Sequence, residues 1–190
     1  MKRLLAAFLL ICCPALPVPS HAQAQGSDAN YETYSPRARQ ITFQGTRYRL
    51  SYVNVTAAST VNEYLSGSDT LAEWNTLIAA RHFKNARKIG DVFPQYLRML
   101  RPNLVEEPQT YAKTAGDDRD ILLIALLKEP NNAYYEYDLI RFVETADGVM
   151  SYQFAKRLPY AETPDVTEIR RMGNQWISEL GRFQYPAYTR

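Results

Sequence analysis

Three groups of charged side chains carry whatever chemistry this sequence can perform. Glu106 and Glu107 form one acidic cluster, and Asp117, Asp118 and Asp120 form another. Paired carboxylates held at different proton affinities serve as general acid and base, for example in hydrolysis of a glycan. Both clusters fall in turn-like stretches, where acidic residues are also common for solvation. Asp117-Asp118-Arg119-Asp120 lacks the ligand spacing of a calcium loop. The second group is basic: Arg81, Lys84, Arg87 and Lys88 place four fixed positive charges within Arg81–Lys88. Such a run suits an anionic partner, a lipid headgroup or an envelope polymer, or is simply a solvated basic helix end. The third group is Glu136, Arg141 and Arg157, set among tyrosines. It reads as a polar binding site under aromatic cover or as the outer face of a sheet.

Several chemistries lack their residues. Cys12 and Cys13 are the only cysteines, and His82 is the only histidine beyond His21. A catalytic triad or a metal site around His82 would need partners that the sequence does not identify. No Gly-rich phosphate loop, Gly-x-Ser-x-Gly or His-Glu-x-x-His is present. The expectation is therefore no catalytic residue, no metal and no cofactor.

The beginning of the chain sets the compartment. Lys2 and Arg3 precede an apolar run from Leu4 to Cys13, prolines follow, and Ser20–Ala24 offers small residues for cleavage after Ala22 or Ala24. That order is a secretory signal peptide, so the expected location is periplasmic or secreted. Both cysteines would leave with it, which removes any disulfide framework or thiolate site from the mature chain. Loss of Lys2 and Arg3 takes the formal charge from +2 to neutral, twenty basic against twenty acidic residues. Neutrality gives no reason to expect a nucleic-acid partner. No later run reaches the ~20 apolar residues of a membrane span, so no transmembrane segment is expected after cleavage. The organisation expected is a signal peptide over 1–24, a flexible lead-in over 25–39 and one domain over 40–190.

The elements that must position these charges are read from periodicity. Asp120–Lys128 holds seven apolar residues between two charges, the pattern of a central strand covered on both faces. Strands are expected at Ile41–Phe43, Arg47–Thr56, Val61–Leu65, Thr110–Thr114, Tyr134–Thr145 and Val149–Leu158. A capping box of Thr70 and Glu73 opens a helix carrying Leu71, Trp74, Leu77 and Ile78 on one face. A second helix starts near Asp91. A third runs from a Thr163 cap and Pro164 through Val166, Ile169, Met172, Trp176, Leu180 and Phe183. A three-residue loop Ala146-Asp147-Gly148 would set Thr145 opposite Val149, Phe142 opposite Tyr152 and Asp138 opposite Lys156. The expected fold is α+β: a mainly antiparallel sheet with helices packed on it, α/β/α sandwich-like, in a single domain.

Two segments resemble parts of small secreted bacterial proteins of uncharacterised function. One is Asn62-Glu63-Tyr64-Leu65 through Ser66–Thr70 into Leu71-Ala72-Glu73-Trp74. The other is Tyr135–Arg141 with Gly148-Val149 and Ser151–Arg157. Together they span about a quarter of the chain, and the element order is similar to the PsbP-like α/β/α sandwich. That resemblance implies binding and assembly roles and carries over no active site. The functional expectation is a non-catalytic module that binds a protein partner or an envelope component. The alternatives are a carboxylate-dependent hydrolase acting on an envelope glycan, and anionic-surface binding through Arg81–Lys88.

Overall fold

Stretches rich in β-branched and aromatic residues form eight strands in a computed structural model that describes residues 39–114, 117–131, 133–160 and 165–182. They are β1 (Gln40–Phe43), β2 (Thr46–Val55), β3 (Ser59–Ser66), β4 (Thr76–Phe83), β5 (Gln109–Thr114), β6 (Asp117–Lys128), β7 (Tyr134–Thr145) and β8 (Gly148–Pro159). All pair antiparallel in one sheet of order β1-β2-β3-β4-β8-β7-β6-β5. The first four strands run as a meander. The chain then crosses through helix α1 (Phe93–Leu100) to the far edge and returns as a second meander, so the last strand closes against β4. Helix α2 (Val166–Arg182) follows β8.

The α+β, α/β/α sandwich-like arrangement is overturned: the described residues form one large antiparallel sheet with two short helices, a single helix against each face rather than helical layers. The main cause lies in the stretch opening at Thr70 and carrying Leu71, Trp74, Leu77 and Ile78, expected to be helical. Leu77 to Ala80 are four consecutive buried residues, none more than 2% exposed, which a two-sided central strand requires. Leu71, assigned to the core face of that helix, is instead 42% exposed. The Thr70 hydroxyl accepts the Glu73 N–H at 3.1 Å, but it closes a turn rather than starting a helix. Helix α1 forms as expected, after a 3-10 turn at Ile89–Asp91. In α2, Asp165 Oδ1 accepts the Glu168 N–H at 3.0 Å. The proposed Thr163 cap, Pro164 and Phe183, like the 1–24 leader and most of the 25–39 lead-in, lie outside the described residues.

Asp120–Lys128 is buried on both faces as expected, yet β6 is next to the edge rather than central. One of its faces packs with Tyr96 and Leu100 of α1. The other shares a core with Ile169, Trp176 and Leu180 of α2. The second face is concave. Neighbouring strands sit ~4.8 Å apart, so β1 and β8, four steps apart, would be separated by about 19 Å in a flat sheet. The rings of Phe43 and Phe154 nevertheless meet at 5.3 Å. A bulge between Leu50 and Tyr52 bends β2, and the Tyr48 hydroxyl reaches the Thr76 hydroxyl on β4 at 3.2 Å. The sheet therefore curls β1 over its own aromatic core.

The β7–β8 register also differs from the expectation. Thr145 pairs with Gly148 across a two-residue loop, which puts Phe142 opposite Ser151, Ile140 opposite Gln153 and Asp138 opposite Ala155. Asp138 and Lys156 thus point to opposite faces, against the expected ion pair. Gly148 belongs to the strand because of close packing: a Cβ there would lie 2.7 Å from the Phe83 carbonyl oxygen. A one-residue slip reverses every side chain of a strand. Here it moves Gln153 and Arg157 onto the face of Glu136 and Asp138.

Candidate functional site

On the face covered by α1, the corrected register assembles a buried polar cluster. Direct cross-strand pairing aligns Glu63 on β3 with Ala79 on β4 and then Gln153 on β8. It likewise aligns Arg81 on β4 with Ser151 on β8, and Arg157 on β8 with Glu136 on β7. Asp138 stands two residues beyond Glu136, on the same face. Exposure is 5% for Glu63, 4% for Arg81, 2% for Asp138 and 3% for Gln153. Helix α1 contributes Tyr96, also buried, above them.

Glu136 and Asp138 behave as one proton-sharing pair. Burial, followed by the Asp138 charge, lifts the Glu136 carboxyl well above its usual value, and protonated Glu136 donates a hydrogen bond to Asp138. Burial pushes Asp138 up to about 6, opposed by hydrogen bonds from Gln153 and Glu136 and by the Arg81 charge. Burial raises Glu63 as well, with Arg81 opposing. Tyr96 is driven up to about 12 by the same desolvation.

Not every polar atom in this cluster is satisfied. Arg81 Nη1, Asp138 Oδ1, Gln153 Oε1 and Glu63 Oε1 are buried without a hydrogen-bond partner. Arg81, Asp138 and Gln153 line a cavity of about 30 Å³ together with Glu136 and Tyr96. Met99, Leu100, Leu127 and Tyr134 supply apolar wall, and Asn103 and Lys128 stand at the lining as well. Because the Gln153 amide donates to Asp138, its carbonyl oxygen is the atom left unpaired. One donor and two acceptors without partners thus belong to residues that line the cavity, although the atoms themselves are buried.

The residues singled out from sequence are distributed as follows. Glu136 lines the cavity, and Arg81, expected in an exposed basic run, points inward to it. Lys84 Nζ donates to the Thr56 carbonyl at 2.8 Å, while the backbone N–H groups of Arg87 and Lys88 donate to Asp91 Oδ2, each at 2.9 Å. The run does not form one basic surface. Arg157 flanks the site, its guanidinium held between Trp74 at 4.1 Å and Tyr134 at 4.3 Å. Trp74, expected as a helix core residue, is a buried loop residue covering that arginine. Arg141 lies on the concave face and forms two hydrogen bonds with Asp120, at 2.8 and 2.6 Å. Of the acidic clusters, Asp120 is thus engaged by Arg141, and Glu106 binds Arg170 at 2.6 Å. His82 Nε2 sits 3.1 Å from the Asp147 carbonyl. Among the described residues no group of three or more His, Cys, Asp or Glu is placed to hold a metal ion. No described helix is long and apolar enough to cross a membrane.

Sequence reasoning missed Asp138 and Gln153. A signal for Asp138 was present: Glu136, Asp138, Ile140 and Phe142 share one face of β7, and a face that turns apolar must be covered. No curated protein and no solved structure matches the chain. A family model covers residues 37–184, every strand and both helices, and the chain belongs to that family, which is uncharacterised.

Proposed function

We propose that the mature chain is a non-catalytic binding module, periplasmic or secreted, that engages a protein partner at the cavity between α1 and strands β4, β8 and β7. The observation that supports this reading is that Arg81, Asp138 and Gln153, each with a buried polar atom lacking a hydrogen-bond partner, all line that cavity. Unpaired buried polar atoms cost ~1–3 kcal/mol each, so a bound group that pairs with them gains what the free protein lacks. At this cavity, size favours a side-chain terminus over a glycan. Small-molecule sites occupy about 300–1,000 Å³, against about 30 Å³ here. A larger cavity of about 480 Å³ lies beside the start of α1, lined by Lys88, Asp91, Asp118, Arg119 and Glu144 among others. A hydrolase built on Asp120 or Glu106 would have to break the ion pairs that hold both.

Photo-crosslinking in the exporting cell tests the proposal. A crosslinkable residue at Met99 or Asn103 should give a discrete protein adduct. The same residue at Tyr111, half exposed on the opposite sheet face, should not. Adducts from Tyr111 alone, no adduct from the cavity positions, or retention of the chain in the cytoplasm would each overturn it.

A further inference from the structure

The segment carrying α1 is tied to the sheet by backbone hydrogen bonds at its two ends and by side-chain packing between them. At the start, the Ile89 N–H donates to Glu144 Oε1 at 2.8 Å. At the far end, Leu104 bridges to Leu127, and the Val105 N–H donates to the Leu126 carbonyl at 2.9 Å. Between these anchors, Phe93 and Tyr96 meet the Phe142 ring edge-on at 5.4 and 5.2 Å, and Leu100 joins the same apolar cluster. An isolated helix shorter than ~12 residues is marginal in water. With eight residues, α1 keeps its helical hydrogen bonds only while it lies on the sheet.

Beneath α1 the charges balance only with a proton. Three carboxyls, Glu63 on β3 with Glu136 and Asp138 on β7, gather with two guanidiniums, Arg81 on β4 and Arg157 on β8. Lys128 and Glu129 of β6, at the cavity lining, offset each other, and the phenols of Tyr134 and Tyr96 are neutral. One proton between Glu136 and Asp138 therefore makes the group neutral. Its loss removes the hydrogen bond that Asp138 accepts from Glu136 and sets two like charges side by side. Water must then replace the lost donor, but Asp138 is 2% exposed and its Oδ1 is closed off. Each strand of the cluster is held by a neighbour on both sides. Tyr96, carried over the pair by α1, is the cover that can move.

We infer that α1 is a lid over this pair, closed while Glu136 and Asp138 share a proton and lifted between its two anchors when rising pH removes it. Burial holds the Glu136 proton in the closed state, and hydration on opening returns the carboxyl toward its ordinary value. The closed state thus binds the extra proton, and the open fraction grows as pH rises, by no more than about tenfold per pH unit. Asp138 gives up its proton at about 6, and Glu136, which donates to it, does so later. The lid stands whether or not a partner binds at the cavity.

Native-state amide hydrogen exchange on the purified mature chain at pH 5, 6, 7 and 8, corrected for the intrinsic pH dependence of exchange, reads the lid. The amides of Leu97 to Leu100 should open more readily than those of Ile140 and Phe142 in the sheet beneath. Their opening should go on rising above pH 6, at up to about tenfold per unit. Glu136→Gln keeps a donor toward Asp138 but has no proton to lose, so the rise above pH 6 should shrink. The comparison of α1 with β7 on the unaltered chain needs no variant to fold. Equal opening of the two sets of amides would place proton release in global unfolding and overturn the lid. Flat α1 opening above pH 6, or an undiminished rise in Glu136→Gln, would overturn it as well.

Discussion

Glu136→Gln isolates the proton that the folded chain must hold. In the unfolded chain Glu136 gives up its proton near its ordinary value of 4.5, whereas in the fold burial and the Asp138 charge hold it there to well above that value. Between those two limits the native state binds one proton more than the unfolded state, so stability falls as pH rises. Each pH unit in that window costs the wild type about 1.4 kcal/mol through this group. Glutamine keeps a donor toward Asp138 and has no proton to lose. Below pH 4.5 the variant and wild type should therefore differ by a small constant offset. Above it, the variant should gain steadily on the wild type until pH reaches the raised value of the folded carboxyl. Asp138, raised from 3.8 to about 6, adds a falling slope of its own, and because it shares a proton with Glu136 the difference between the proteins reports the pair rather than one carboxyl. Asp69 is lowered: burial works against its charge, and hydrogen bonds from Asn75 and Ser66 outweigh it, so its contribution is lost only as pH falls below 3.8. Urea unfolding of both proteins at pH 4, 5, 6 and 7 gives the difference directly. Parallel stability curves across that range would refute the account of a buried, proton-sharing pair.

Two other substitutions test the packing. Gly173→Ala should destabilise by about 1–2 kcal/mol, because overpacking costs ~1–3 kcal/mol and outweighs the ~1 kcal/mol that alanine brings to a helix interior. A methyl at Gly173 would overlap the Tyr137 hydroxyl, and a rise in thermal midpoint would show that α2 does not approach β7 so closely. A double-mutant cycle on Arg141→Ala and Asp120→Ala should return a coupling of about 1–3 kcal/mol, the range for charge-assisted pairs with little solvent access. Their side chains are only 13% and 20% exposed, so coupling near zero would contradict the geometry.

Legibility of the fold followed the scale of the signal. Long alternating or wholly apolar runs located seven strands to within a few residues, because burial dictates their pattern regardless of neighbours. Leu71, Trp74, Leu77 and Ile78 fit a helical spacing, and only the pairing of β4 with both β3 and β8 overrides it. That pairing spans more than seventy residues, which no local window contains. The hairpin register failed for a related reason. Matching Asp138 to Lys156 assumed that opposite charges share a solvated face, whereas Gly148 is drawn against the Phe83 carbonyl and fixes the alignment from outside the hairpin. The candidate site depended on that alignment, so Glu136 and Arg157 were legible as charged residues but their company was not.

The two arginine–carboxylate groups of this sheet form an internal comparison. On the concave face, Arg141 and Asp120 meet through two hydrogen bonds. On the opposite face, Arg81 is surrounded by Glu63, Glu136 and Asp138, yet its Nη1 and oxygens of Glu63 and Asp138 have no partner. Buried charges cost several kcal/mol apiece, and well-packed apolar residues of similar volume are often as stable or more so. Leucines at these positions would have extended the apolar cluster that already runs through Phe142, Ile140 and Leu123. Stability alone does not account for an open polar cluster beside a closed one in the same sheet. Buried polar groups left unpaired carry a cost that apolar packing at the same positions would remove.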